Sequence, residues 1–158
     1  MRKLALSDEI LLSVDKAARY IGGEVNSVMK DKNKVDIRFA MCFPDVYEIG
    51  MSNLGMMILY NMFNEREDVW AERVFSPWLD LDKIMREKEI PLFALESQEP
   101  VKNFNFLGIT LGYEMCYTNV LQVLDLSHVS LLAKDREEDD PIVIGGGACA
   151  YNPEPIAE

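Results

Sequence analysis

Val35-Asp36-Ile37-Arg38-Phe39-Ala40-Met41-Cys42-Phe43 leads into Pro44-Asp45-Val46-Tyr47-Glu48-Ile49-Gly50-Met51-Ser52-Asn53 and then Leu54-Gly55-Met56-Met57-Ile58-Leu59-Tyr60-Asn61-Met62-Phe63. Read in order, this is a strand, a loop and a helix. Val35, Ile37, Phe39, Met41 and Phe43 alternate with Asp36, Arg38, Ala40 and Cys42, and the polar partners fade toward the end of the run. Period two marks a strand whose far end is buried on both sides. Pro44-Asp45 breaks it. Ser52 or Asn53 then caps a helix whose apolar residues Leu54, Met57, Ile58, Leu59, Met62 and Phe63 surround much of its circumference. Such a helix is expected between a sheet and a further layer.

The same strand-then-helix pattern recurs outward from this unit. Trp70 to Phe75 reads as a second strand, and Asp80 as the cap of a helix over Leu81 to Glu89 that Pro91 ends. Pro91 to Leu95 reads as an edge strand, its leading proline unable to donate to a ladder. Phe104 to Leu111 is a further strand, followed by a helix with Tyr117, Val120, Leu121, Leu124 and His128 on one face. After a charged surface loop from Asp135 to Asp140, the short strand Pro141-Ile142-Val143-Ile144 runs into Gly145-Gly146-Gly147-Ala148. Ahead of the first unit, Ser7 caps a helix running to Ile21, with Gly22-Gly23 as its stop and 24–34 as a polar lead-in. Alternating strands and helices with buried strands predict an α/β fold, a Rossmann-like, mostly parallel sheet flanked by helices. The expected organisation is an N-terminal helix and lead-in over residues 1–34, then one Rossmann-like domain over 35–158. Asn152-Pro153-Glu154-Pro155-Ile156 opens like a helix, so the domain reads as cut from a longer protein and as incomplete at its C-terminal edge.

Composition narrows the function. At 158 residues, 49% hydrophobic and 27% charged, the chain suits one soluble domain with a real core. A net charge of −11 and no basic stripe speak against autonomous nucleic-acid binding. The apolar runs fall short of the roughly 20 residues of a membrane span. Met1-Arg2-Lys3-Leu4-Ala5-Leu6 briefly imitates a signal peptide, but Asp8 and Glu9 interrupt it. Cys42, Cys116 and Cys149 are odd in number and far apart, as reduced thiols of a cytoplasmic protein would be. No CxxC pair is present, so neither a zinc site nor an iron–sulfur cluster is expected within the chain.

Three strand-end loops are the candidates for chemistry, because open α/β sheets bind ligands outside the carboxyl ends of their strands. They are Asp45 to Gly50, Thr110-Leu111-Gly112-Tyr113-Glu114, and Gly145 to Ala148. The glycines allow close backbone approach to a ligand, but neither GxGxxG nor GxxxxGK[ST] is present, so dinucleotide and P-loop sites are excluded at the motif level. Asp45, Glu48 and Glu114 could act as acid and base only if they meet. His128 is the one histidine, no Ser-His-Asp or Cys-His constellation is in view, and no catalytic residue is assigned.

Several blocks resemble a family of radical SAM proteins of the iron–sulfur oxidoreductase type that carry a cobalamin (B12)-binding-like N-terminal domain. They are Arg19 to Glu24, Phe43 to Gly55, Ala71-Glu72-Arg73-Val74-Phe75, Leu95-Glu96-Ser97, Tyr117 to Leu121, and Gly145 through Pro155. The resemblance implies that a radical SAM barrel of the same chain follows this domain. That barrel would hold the CxxxCxxC motif, the 4Fe-4S cluster and S-adenosylmethionine, with no radical chemistry here. It also implies a crevice for cobalamin or substrate lined by Tyr47, Ser52, Asn53, Leu54, Gly55, Gly112, Tyr113, Glu114, Gly145, Gly146, Gly147 and Ala148. Cobalamin domains that ligate cobalt through the protein read DxHxxG in the first loop, and here Tyr47 stands in place of that histidine. A neutral phenol is a poor cobalt ligand. The parent is expected to be an oxidoreductase or a methyltransferase. The alternative is a cofactor-free Rossmann domain used for substrate docking or protein interaction. A flavodoxin-like FMN site is a weaker third reading, because Pro44 to Gly50 supplies acids and bulky residues where a phosphate loop is needed.

Overall fold

In the computed structural model, which describes residues 4–157, the strands β1 (Ile37–Phe43), β2 (Val69–Phe75), β3 (Phe106–Thr110) and β4 (Ile142–Gly146) form one sheet. Its order is β2-β1-β3-β4 and every pairing is parallel. The helix α4 (Leu54–Asn64) follows β1, α5 (Leu79–Lys88) follows β2 and α6 (Tyr117–Leu126) follows β3. The α/β, Rossmann-like expectation holds.

Chain order reverses direction at β1, so a switch point lies between the carboxyl ends of β1 and β3. Right-handed crossovers then place α4 on one face and α5 and α6 on the other. Strand alternation sorts the side chains accordingly. Ala40, Cys42, Val74, Leu107 and Ile109 join Leu81, Met85, Val120 and Val123 in the larger core. Met41, Phe43 and Ala71 pack with Met56 and Tyr60 in a smaller core under α4.

The N-terminal residues pack onto this frame. In place of one helix there are α1 (Asp8–Ser13) and α2 (Ala18–Ile21), because Val14 is extended and Asp80 Oδ2 captures the Asp15 N–H at 2.8 Å. That contact also explains why Asp80 is no helix cap. α5 begins at Leu79 with Trp78 in the cap position, and Asp80 is engaged in its first turn. Leu6, Ile10, Leu11, Val14 and Tyr20 are buried in the larger core.

Two further expectations are corrected. Pro91 to Leu95 is not a strand. Leu92 N donates to Leu126 O, and Ala94 N donates to Glu99 O across a turn, leaving only an isolated bridge between Phe93 and Pro100. Asn152 does not cap a helix, and 3-10 turns occupy Ala148–Tyr151 and Glu154–Ile156 instead. The short helix α3 (Tyr47–Met51) lies inside what the sequence suggests is a loop. Asn53 caps α4 as expected, its Oδ1 accepting the Met56 N–H at 2.9 Å. Residues 1–3 of the signal-like start lie outside the described residues.

Candidate functional site

A cleft of about 400 Å³ runs along the sheet face between α4 and strands β3 and β4, from Phe39 and Phe63 up to the carboxyl ends of β3 and β4. Phe39, Met41, Met56, Leu59, Phe63 and Ile144 give it apolar walls, and Gly145, Gly146 and Gly147 form its rim. Its volume and character are those of a small-molecule pocket. The floor is aromatic, with Phe39 stacked on Phe63 at 4.9 Å and on Phe106 at 5.8 Å. Gly108 lets the Phe39 ring lie flat on the sheet, since a Cβ there would sit 2.5 Å from the ring edge.

The glycine rim divides into two kinds of position. Gly147 has φ +122°, and a Cβ on it would lie 2.5 Å from Leu111 O, so packing alone demands glycine there. Its loop is tied to the end of β3 by Leu111 N donating to Gly146 O at 2.6 Å and Cys149 N donating to Leu111 O at 3.0 Å. Gly146 is different. A Cβ at this position meets nothing within 4 Å, so the strand end is left open toward the cleft.

Of the residues singled out from sequence, Asn53, Gly55, Gly145, Gly146 and Gly147 line this cleft. The others lie around it without entering its wall. Leu54 faces solvent, and Ser52 Oγ donates to Ile49 O at 2.8 Å, closing α3. Gly112, Glu114 and Ala148 are exposed. Tyr113 donates its hydroxyl to Asp45, bridging the β3 loop to the β1 loop across the switch point. That bond, with burial adding to it, pushes the Tyr113 phenol up to about 12.

Tyr47 turns away from the cleft. Its hydroxyl donates to Glu24 Oε1 at 3.1 Å and its ring sits edge-on to Phe75 at 5.6 Å. Burial, reinforced by Glu24, raises its pKa, so the phenol is neutral. The loop carboxylates do not form an acid–base pair either. Asp45 accepts from Val46 N and Tyr113, while Glu48 accepts from Lys16 at 3.2 Å and Arg19 at 3.0 Å. His128 lies past the C-terminus of α6, toward the amino ends of the strands. Among the described residues no group of three His, Cys, Asp or Glu is placed to hold a metal ion. Cys42, Cys116 and Cys149 are free buried thiols, and burial raises the pKa of Cys42 and Cys116.

Beside Tyr47 lies a buried ion cluster that composition and spacing did not reveal. Arg73 is fully buried. Its Nε meets Glu96 Oε1 at 2.6 Å, its Nη2 meets Glu24 Oε2 at 3.3 Å, and its guanidinium stands 4.6 Å from the centre of the Tyr60 ring. One strand position earlier, Glu72 pairs with Arg38 at 2.6 Å and accepts from Ser97 N at 2.8 Å. Blocks quoted above from four separate stretches thus meet at the β2 edge, through Glu24, Tyr47, Arg73 and Glu96.

A family model described as the N-terminal region of radical SAM proteins matches residues 55–158. The chain belongs to this family. It is also 26% identical over 122 residues to an uncharacterized protein of Methanocaldococcus jannaschii, a match covering 75% of this chain and 21% of that protein. The radical SAM chain thus spans about a fifth of the length of its curated relative. No solved structure matches it. No helix among the described residues is long and apolar enough to cross a membrane.

Proposed function

We propose that this is the ligand-holding N-terminal domain of a larger radical SAM protein, an oxidoreductase or a methyltransferase. Its cleft receives the flat apolar part of a cobalamin, the nucleotide tail, or of a substrate. The 4Fe-4S cluster and S-adenosylmethionine belong to the radical SAM domain of the same polypeptide, which is this domain's partner. The observation that carries the reading is the cleft itself: apolar walls along one face of a doubly wound sheet, ending at a glycine rim at the carboxyl ends of the strands and open in front of Gly146.

The residues fit one part of a cobalamin and not another. Phe39, Met41, Ile144 and the glycine rim suit a flat ring with little polar demand. Tyr47 would not ligate cobalt, since it is neutral, engaged by Glu24 and turned away from the cleft. A cobalamin held here would draw no cobalt ligand from Tyr47, and Phe39, Met41, Ile144 and the glycine rim would hold it by apolar contact.

Titration with hydroxocobalamin, followed by visible absorbance and calorimetry, tests this. Saturable one-to-one binding is expected, with the same bound spectrum for the natural protein and for Tyr47→Phe. A Tyr47→Phe spectrum that differs would show protein ligation and overturn the assignment of the cobalt environment. No saturation at high micromolar cobalamin would remove cobalamin as the ligand.

A further inference from the structure

α4 is eleven residues long and carries no charged side chain, in a protein in which 27% of residues are charged. Its sheet side is taken by the buried Met56 and Tyr60. Opposite them, Leu54, Ile58 and Met62 follow one another at a spacing of four and point away from the sheet, 72%, 49% and 57% exposed. A ridge of this kind packs into the grooves of another helix. It lies outside the cleft, which Leu59 and Phe63 wall from a different side of α4.

The lead-in ahead of β1 widens this apolar face. It runs alongside α4 in the same direction. The Asn26 amide reaches Met57 Sδ at 3.9 Å, the Val28 N–H donates to Tyr60 Oη at 2.7 Å, and Lys30 Nζ donates to Asn64 O at 2.9 Å. On this segment Val25 is fully exposed and Met29 is 53% exposed. Residues 24–30 contain two charged side chains, and both are engaged within the chain. Glu24 pairs with Arg73, and Lys30 donates to the carbonyls of Asn64, Arg66 and Val69. An apolar face without a free charge therefore stands on a chain whose net charge is −11.

We infer that two copies of this chain meet through this face, in a two-fold dimer with α4 packed against α4. Charge selects the face. Two chains of −11 repel wherever their acidic surfaces approach, and here neither copy presents a free charge to the other. Size agrees. A fully exposed aliphatic side chain offers about 120 Å² of apolar surface, so Leu54, Ile58, Met62, Val25 and Met29 at their exposures supply about 400 Å² per copy. Homodimer interfaces are about 65% apolar, which makes the whole contact about 1,200 Å², the size at which specific interfaces begin. Such a dimer is reversible. Ridges spaced by four interdigitate with the helices crossed at about −50°. With the two-fold axis through the middle of the ridge, Ile58 meets its counterpart and Leu54 of each copy lies toward Met62 of the other. The cleft stays open in this arrangement, so the inference is independent of the ligand reading.

Sedimentation of the protein over a range of concentrations tests it. The mass is expected to move from 18.0 kDa toward twice that value as concentration rises. Added salt should bring the change to lower concentration by screening the two acidic chains. Ile58→Glu is expected to weaken the dimer about tenfold or more by placing like charges at the axis. Leu12→Glu adds the same charge at an exposed leucine of α1 and is expected to leave the dimer unchanged. Mild oxidation should link Ile58→Cys into a covalent dimer and leave Leu12→Cys unlinked, the three native thiols being buried. A monomer at every concentration, or an equal response from the two glutamate variants, would overturn the proposal. A dimer of this chain that is lost in a longer polypeptide carrying its radical SAM domain would also overturn it, by assigning the face to the remainder of that polypeptide.

Discussion

The two faces of the sheet are finished to different degrees. Under α5 and α6, Leu107, Val123, Leu81 and Met85 are closed off from solvent, and the N-terminal helices seal the edge of that core. Under α4 the core is small, and it stops where β3 and β4 begin. The difference teaches where stability resides and where function is free to act. The closed face holds the larger of the two cores. The open face holds the cleft walled by Phe39, Met41 and Phe63 and rimmed by Gly145, Gly146 and Gly147.

The contrast breaks first at its strongest points. Arg73→Ala leaves Glu96 fully buried without its guanidinium, and losing one partner of a buried pair costs about 3–5 kcal/mol. Chemical denaturation should show a loss of that size or a failure to fold, whereas a loss near zero would mean that the β2 edge opens to water. Leu107→Ala on the closed face should cost about 2–5 kcal/mol through the cavity it leaves. Ile144→Ala on the open face of the isolated domain should stay within about 0.5 kcal/mol. Equal costs for the two would erase the distinction between the faces.

The glycine rim sharpens the contrast on a smaller scale. Gly147→Ala places a side chain at positive φ and against Leu111 O, a strain of about 1–3 kcal/mol, while Gly146→Ala meets open space and should change stability by less than about 0.5 kcal/mol. The smallest effect is local. Asp45→Asn weakens the bond that holds the Tyr113 phenol at about 12, so Tyr113 should ionise closer to the ordinary tyrosine range in an ultraviolet titration, with the fold unchanged.

The fold was legible because its signals are periodic. Alternation from Val35 to Phe43 and the apolar run of α4 are local patterns, and the structure reproduces both. Pro91 to Leu95 misled because an apolar run after a proline looks the same whether it joins a ladder or folds back on itself, and the turn that claims Ala94 N is closed by Glu99 downstream. The helix expected from Ser7 to Ile21 broke for a tertiary reason, the grip of Asp80 on Asp15. The glycine rim was readable as a strand end, but Gly145 and Gly146 belong to β4 itself, paired with Ile109 and Thr110, and only Gly147 leaves the strand. The walls of the cleft were not readable, since Phe39, Met41 and Phe63 look like ordinary core positions until the far side of the sheet is seen to be bare. Gly108 inside β3 was the available clue, a strand glycine marking the close approach of the Phe39 ring. Tyr47 reads as a poor cobalt ligand on its chemistry alone, whereas its bond to Glu24 and the Arg73 cluster behind it depend on contacts tens of residues apart, which no local pattern reports.

The central claim is that the ligand enters in front of Gly146, and a matched pair of substitutions tests it most directly. Gly146 and Gly112 both have open space where a side chain would go, and only Gly146 lines the cleft. Hydroxocobalamin is titrated into the natural protein, Gly146→Trp and Gly112→Trp under one set of conditions. Saturable binding is expected for the natural protein and for Gly112→Trp, and its loss in Gly146→Trp with the fold intact by circular dichroism. Undiminished binding to Gly146→Trp, or equal loss in both variants, would contradict it.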